Sequence, residues 1–352
     1  MNSLNLSSEI FNIIKNETRN FGKYSVGYII NEYKFGPSDL ILHIKGNKIN
    51  VIKNEKVYEE RNIVKVRLNS INQVIQTLYP DPKYQAIINS LDVIFPICLS
   101  DKSDCVMQKV PCLSFSKERY SNNILMPSLN AIIGYAECDF IKDQDIPLFN
   151  KENKLCFAAS LTNIRWNNTG IQNNQRLQIA NLAKDNPDLF FGRIVRPPLF
   201  DDKEWRDVCE DISNNYPGLI VSDYFSKEVN PITLDQQIKY RHQICFDGHT
   251  SAWARLPWQL KSNSIVYKIR NPQNDFIEWF YPLLQSGKHY IEVEINNLIN
   301  VFNFIKNEPE YQIELSNNAR EFADNFLTTN LAREILLTTL QELTLQQTGK
   351  NR

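Results

Sequence analysis

At 352 residues the chain is too long for one compact core, and a typical ~100–200 residues per domain points to two. Hydrophobic residues make up 42% and charged residues 22% of it, close to the globular average, which excludes wholesale disorder and low-complexity repeats. Lys+Arg number 39 against 40 Asp+Glu, a net charge of −1, so there is no global basic field for a nucleic-acid backbone and no nucleic-acid partner is expected.

Residues 1–20 carry helical spacing at Ile10, Phe11, Ile13 and Ile14, and no basic segment leads into an apolar run there. No stretch of ~18 apolar residues occurs anywhere, so a cytoplasmic protein is expected, at most peripheral to a membrane. Asp39-Leu-Ile-Leu-His-Ile and Lys48-Ile-Asn-Val-Ile-Lys alternate about Gly46-Asn47, a hairpin signal. Val74, Leu78 and Tyr79 mark a helix, Leu91-Asp-Val-Ile-Phe-Pro-Ile-Cys-Leu reads as a buried parallel strand, and Pro111-Cys-Leu-Ser-Phe-Ser as a second strand. The 7 cysteines, at 98, 105, 112, 138, 156, 209 and 245, are odd in number and lack both C-x-x-C pairs and zinc-finger spacing. They read as reduced, mostly buried thiols, and no metal site is expected.

A polar passage, Asp143-Gln-Asp-Ile-Pro-Leu-Phe-Asn, precedes a restart of the pattern, which places a domain boundary near residue 150. The expected division is an N-terminal domain over 1–150, a second over 151–327, and a helix over 328–352 packing back across both. Strand Leu155-Cys-Phe-Ala-Ala-Ser leads to a helix over 175–184. Strands over 189–191, 219–221, 243–246 and 264–269 then alternate with helices over 202–213, 233–240, 252–262 and 274–285. That rhythm predicts an α/β fold with a mostly parallel sheet. The tail is helical over 295–307, 311–326 and 330–347, the last with a stripe of Leu331, Ile335, Leu336, Leu340 and Leu343 facing a core.

Four common signatures are missing: the phosphate-binding G-x-x-x-x-G-K-[ST], the dinucleotide G-x-G-x-x-G, H-E-x-x-H and G-x-S-x-G. What stands out is Tyr240-Arg-His-Gln-Ile-Cys-Phe-Asp-Gly-His-Thr-Ser-Ala-Trp-Ala-Arg-Leu-Pro-Trp-Gln-Leu, a strand ending in Asp247-Gly248 and running through small residues toward a helix that carries Arg255. Free amides of a first helical turn together with an arginine fork make an anion site. The alternative is an ordinary Asp-Gly turn beside a surface arginine.

This block resembles the signature of glycosyltransferase family 90. It carries Asp247-Gly248, Arg255, Ser262-Asn-Ser-Ile-Val-Tyr-Lys, Glu278-Trp-Phe-Tyr-Pro-Leu-Leu and His289-Tyr-Ile-Glu-Val in the family's order and spacing. Outside it, Val110-Pro-Cys-Leu-Ser-Phe-Ser-Lys and Asn123-Ile-Leu-Met-Pro are similar to the family's "PVFSFSK…ILYP" stretch, so the likeness runs from about residue 90 to 325. The family includes Rumi-type protein O-glucosyltransferases, fungal capsule-associated xylosyltransferases and bacterial LpsA-like lipopolysaccharide enzymes.

The resemblance implies a GT-B fold of two Rossmann-like domains facing a central cleft, with the donor on the C-terminal one. It also implies inverting, metal-independent transfer from a UDP-sugar, used as substrate and without a cofactor, to a glycan or glycolipid acceptor such as lipopolysaccharide. For the base the expectation is Asp101, in the loop after strand 91–99, with Asp104 the runner-up. Donor contacts are expected from Ser160, Arg176, Asp247, Gly248, His249, Thr250, Ser251, Ala252, Arg255 and Glu278, the last on a helix after strand 264–269. One departure stands out: Phe157-Ala158-Ala159-Ser160 replaces the family's "FRGS". Arg165, or Arg176 in Asn174-Gln-Arg-Leu, is then the candidate to restore the charge. The departure also admits a catalytically silent nucleotide-sugar or glycan-binding protein of the same fold.

Overall fold

The computed structural model describes residues 8–19, 21–25, 27–29, 39–53, 62–98, 111–162, 174–196, 202–219, 231–248, 251, 254–270 and 275–349. They divide into two compact units, one drawn from Met1–Gly134, Phe276–Leu283 and Phe326–Arg352, the other from Tyr135–Asp275 and Leu284–Asn325. Among the described residues no helix is long and apolar enough to cross a membrane.

The first unit opens with helix α1 (Ser8–Thr18), which buries Ile10 and Ile14. Strands β1 (Asp39–Lys45) and β2 (Lys48–Lys53) form the expected hairpin, turned by Gly46 at φ 57°. Glycine suits that left-handed position because it has no Cβ to clash. Helix α2 (Asn62–Leu78) is followed by α3 (Pro82–Asn89), whose start is fixed by Pro82 and by Asp81, which accepts from the Lys83 amide at 2.8 Å. Strand β3 (Asp92–Cys98) pairs antiparallel with β1. Short strands β4 (Leu113–Ser114), β5 (Ser116–Glu118) and β6 (Ile124–Leu125) and helix α4 (Leu129–Ile133) follow. The sheet order is β2-β1-β3-β4-β6. The expected parallel strand is therefore parallel to β4 alone, because the hairpin claims its other edge.

In the second unit, helix α5 (Ala136–Gln144) packs Ile141 against Ile238 and Trp258. Asp145 accepts from the Asn263 amide at 2.6 Å and pairs with Lys151, which also donates to Ser264 at 3.0 Å. These buried contacts fasten residues 135–150 to the second unit, so the division falls after Gly134 and not near residue 150. Next come β7 (Glu152–Ser160), α6 (Gln175–Asp185), β8 (Phe190–Val195) and α7 (Asp202–Asn215). They are followed by α8 (Leu234–Gln237), β9 (Tyr240–Cys245), α9 (Arg255–Lys261) and β10 (Ile265–Ile269). Of the expected strand over 219–221, residues 220 and 221 lie outside the described residues, and 219 belongs to no strand.

The expected helix over 274–285 is replaced by β11 (Phe276–Glu278) and a single turn at Tyr281–Leu283. Its aromatic and β-branched residues favour a pleated surface, and β11 belongs to the first unit, where it pairs antiparallel with β5, Glu278 opposite Ser116. Strand β12 (Ile291–Val293) and helices α10 (Leu298–Ile305) and α11 (Pro309–Phe326) complete the second unit. Its sheet runs β12-β10-β9-β7-β8, every pairing parallel. Close packing shapes it in detail: a Cβ at Gly192 on β8 would fall 2.1 Å from the Phe157 ring on β7.

The tail helix α12 (Thr329–Thr348) belongs to the first unit, where its packing partners include α1, α3, α4 and β3. Glu334 pairs with Lys83, Arg333 donates to the Ile132 carbonyl at 3.0 Å, and the Gln347 carboxamide binds both main-chain groups of Ile94. Its leucine stripe is thus spent on one unit, in place of the expected packing across both.

Candidate functional site

In an open parallel sheet, ligands bind outside the carboxyl ends of the strands where the strand order reverses. Here β7 leads outward to β8 on one side, while the chain returns to place β9 on the other, so the switch point lies between β7 and β9. The carboxyl ends of those two strands carry Ser160 and Asp247-Gly248.

Helix α6 delivers a cation to that point. Its N-cap Asn174 accepts from the amides of Arg176 (3.0 Å) and Leu177 (3.3 Å) and donates to the Thr162 carbonyl at 2.7 Å. Gln175 accepts from the Asp247 amide at 3.2 Å. Arg176 follows, buried, donating Nε to the Asp247 carbonyl at 3.2 Å and Nη1 to the Ser160 carbonyl. One guanidinium thus ties the ends of β7 and β9 together. Gly248 is required beside it: a Cβ there would lie 2.4 Å from Arg176 Nη2 and 2.7 Å from Thr162 Oγ1.

Arg255, partly buried, is the first residue of α9. Its guanidinium carbon lies 5.0 Å from the centre of the Phe246 ring and that of Arg176 lies 5.5 Å from the same ring, within cation–π range. Among the described residues no carboxylate lies within ion-pair reach of Arg255. Burial, followed by the neighbouring Arg255 charge, pulls Arg176 down to about 9, and burial likewise lowers Arg255. Two like charges held together out of water gain from an anion that binds both.

Asp247 is itself buried and pairs with Lys268 of β10 at 2.5 Å. Burial opposes the charge on Lys268, yet the Asp247 carboxylate holds the ammonium above its ordinary range. Arg176, Arg255 and Lys268 therefore gather about one carboxylate, with the field of Asp275 also reaching Lys268. The surplus is positive, suited to a dianion such as a diphosphate.

The structure brings together Ser160, Arg176, Asp247, Gly248 and Arg255. Ser251 is buried just ahead of α9, while His249, Thr250 and Ala252 lie outside the described residues, as do Asp101, Asp104 and Arg165. The expected helix over 252–262 is α9, described from Arg255, and Ser251 ahead of it belongs to no helix. Pro257 explains the start, since proline fits the first helical turn and not an interior one. Glu278 is a correction too: it is buried in β11 of the first unit and not on a helix of the second. Lys268, Phe246 and Gln175 were missed, although a lone lysine within the apolar run Ser264-Ile-Val-Tyr-Lys-Ile was a visible signal.

The family model described as "Glycosyl transferase family 90" matches residues 7–348. Uncharacterized protein 179R of Invertebrate iridescent virus 6 is 30% identical over 178 residues, 48% of this chain and 14% of the viral one. Protein O-glucosyltransferase 3 of Homo sapiens is 27% identical over 147 residues, 42% of this chain and 24% of the human one. The matched segments thus span under a quarter of those relatives' lengths. Among solved structures, the Anabaena protein HepE in complex with UDP-glucose aligns over 58% of this chain and 52% of its own, at 13% identity and a TM-score of 0.35, too low to bear on the site.

Proposed function

Since this chain belongs to glycosyl transferase family 90, we propose that it moves a sugar from a UDP-sugar to a hydroxyl of a cell-surface glycan, lipopolysaccharide or glycolipid. The observation that carries this reading is the meeting of Arg176 and Arg255 over Phe246, at the switch point of the parallel sheet. Two guanidiniums offer paired donors to a diphosphate and offset the charge that grows on it as it leaves.

In this reading the transfer is a single inverting displacement. The acceptor oxygen attacks the anomeric carbon, Asp101 or, failing it, Asp104 takes the hydroxyl proton, and the nucleoside diphosphate leaves with the bonding pair. The two arginines supply the positive charge that a divalent cation would otherwise bring, which supports transfer without metal. Ala158 and Ala159 within β7 favour a second reading, a silent binder of the same fold. Arg176 answers that loss by bringing a guanidinium to the end of the same strand.

Turnover with a panel of UDP-sugars and glycan acceptors, in the presence of a chelator, tests the proposal. The expected result is transfer of one sugar, unaffected by the chelator and abolished in Asp101→Asn with UDP affinity unchanged. UDP binding without turnover of any donor would favour the silent reading, and a strict metal requirement would overturn the mechanism.

A further inference from the structure

Strand β10 is buried along its whole length, yet its fourth residue is Lys268. An ammonium ion tolerates such a place only beside a compensating charge. Asp247 provides it at 2.5 Å, with the two side chains 3% and 4% exposed. The same carboxylate acts electrostatically on both Arg176 and Arg255. Left to itself it would compete with any incoming anion, because arginine and carboxylate form strong, often bidentate, pairs.

We propose that Lys268 is a positioning residue for donor binding: it claims the Asp247 side chain and so keeps Arg176 and Arg255 available to a diphosphate, without touching the ligand itself. Asp247 then works in two directions. Its carboxylate is held by Lys268, while its main-chain oxygen receives Arg176 Nε and orients that guanidinium. The inference rests on the reading of this site as one for a nucleoside diphosphate.

Calorimetric titration of the full chain with UDP tests it, comparing wild type, Lys268→Met, Asp247→Asn and the double variant. Lys268→Met is expected to weaken UDP binding about tenfold or more, because the released carboxylate captures a guanidinium. Asp247→Asn strands the buried Lys268 ammonium without its counter-charge, so it enters only as a member of the cycle, with its folding followed by circular dichroism. The double variant, again charge-balanced, should recover to within about threefold of wild type, the coupling expected of contacting residues. A double variant that binds as weakly as Lys268→Met would overturn the proposal. Should Lys268→Met not fold, the comparison of the double variant with wild type carries the test, with circular dichroism confirming that both are folded. Failure of wild type itself to bind UDP would overturn the site reading and this inference with it, whereas wild-type binding without rescue overturns the inference alone.

Discussion

Gly248 makes room for a neighbouring cation because it has no side chain. It leaves room for the Arg176 guanidinium, which a Cβ would meet at 2.4 Å. Gly248→Ala is accordingly expected to push Arg176 off the ends of β7 and β9, an overpacking cost of about 1–3 kcal/mol. Calorimetry should show weakened UDP binding and thermal melts a lowered Tm; unchanged UDP affinity would mean that Arg176 is not used for the ligand. The sequence pointed to Gly248 for a tight turn, and the structure gives it a different task, close approach by an arginine 72 positions earlier. Such a partnership has no local spacing to betray it, which is also why Phe246 went unnoticed between Cys245 and Asp247.

Within elements, β9 carries a buried imidazole. His242 is fully buried, hydrogen-bonded through Nε2 to Asn153 of β7 at 2.8 Å and through Nδ1 to the Tyr267 hydroxyl of β10 at 3.1 Å. A neutral ring satisfies both, with Nε2–H donating to the amide oxygen and Nδ1 accepting from the phenol. Burial, then Arg241 and Lys306, push His242 from 6.5 down to about 3. The unfolded chain therefore takes up the proton first on acidification. The stability this neutral histidine contributes is fully present above its unfolded pKa and drains as pH falls from about 6.5 toward 3, at no more than ~1.4 kcal/mol per pH unit. Melts between about pH 7 and pH 4 should show that slope flattened in His242→Gln; an identical slope would assign the acid sensitivity elsewhere. Long periodic elements such as α6 and α11 were legible from the sequence, as was the alternation of strand and helix in the second unit. Where the expected helix over 274–285 became β11, the deciding factor was a partner strand, β5, more than 150 residues away. Pairing at that distance overrides local preference and leaves no trace in periodicity.

For the whole molecule, the family was readable from ordered motifs, whereas the ownership of segments was not. The tail helix completes the first unit, and its Gln347 carboxamide occupies the main-chain amide and carbonyl of Ile94 on β3. Nothing in a leucine stripe says which core it will meet. Gln347→Ala is expected to cost about 1–3 kcal/mol by leaving those groups unsatisfied, measured as a lower denaturant midpoint. Truncation after Leu327 should leave a chain that cannot form the first unit, seen as insolubility or loss of cooperative unfolding. A truncated chain with full stability would place α12 outside the core.

The proposed diphosphate site rests on Arg176 and Arg255 together. Calorimetric titration with UDP, with GDP and ADP as controls and no added metal, tests it most directly. UDP-selective binding is expected, falling about 10- to 100-fold in Arg255→Ala, as charge-assisted hydrogen bonds contributing ~1.5–3 kcal/mol would require. No nucleotide binding by the wild type, or equal binding by wild type and Arg255→Ala, would contradict it.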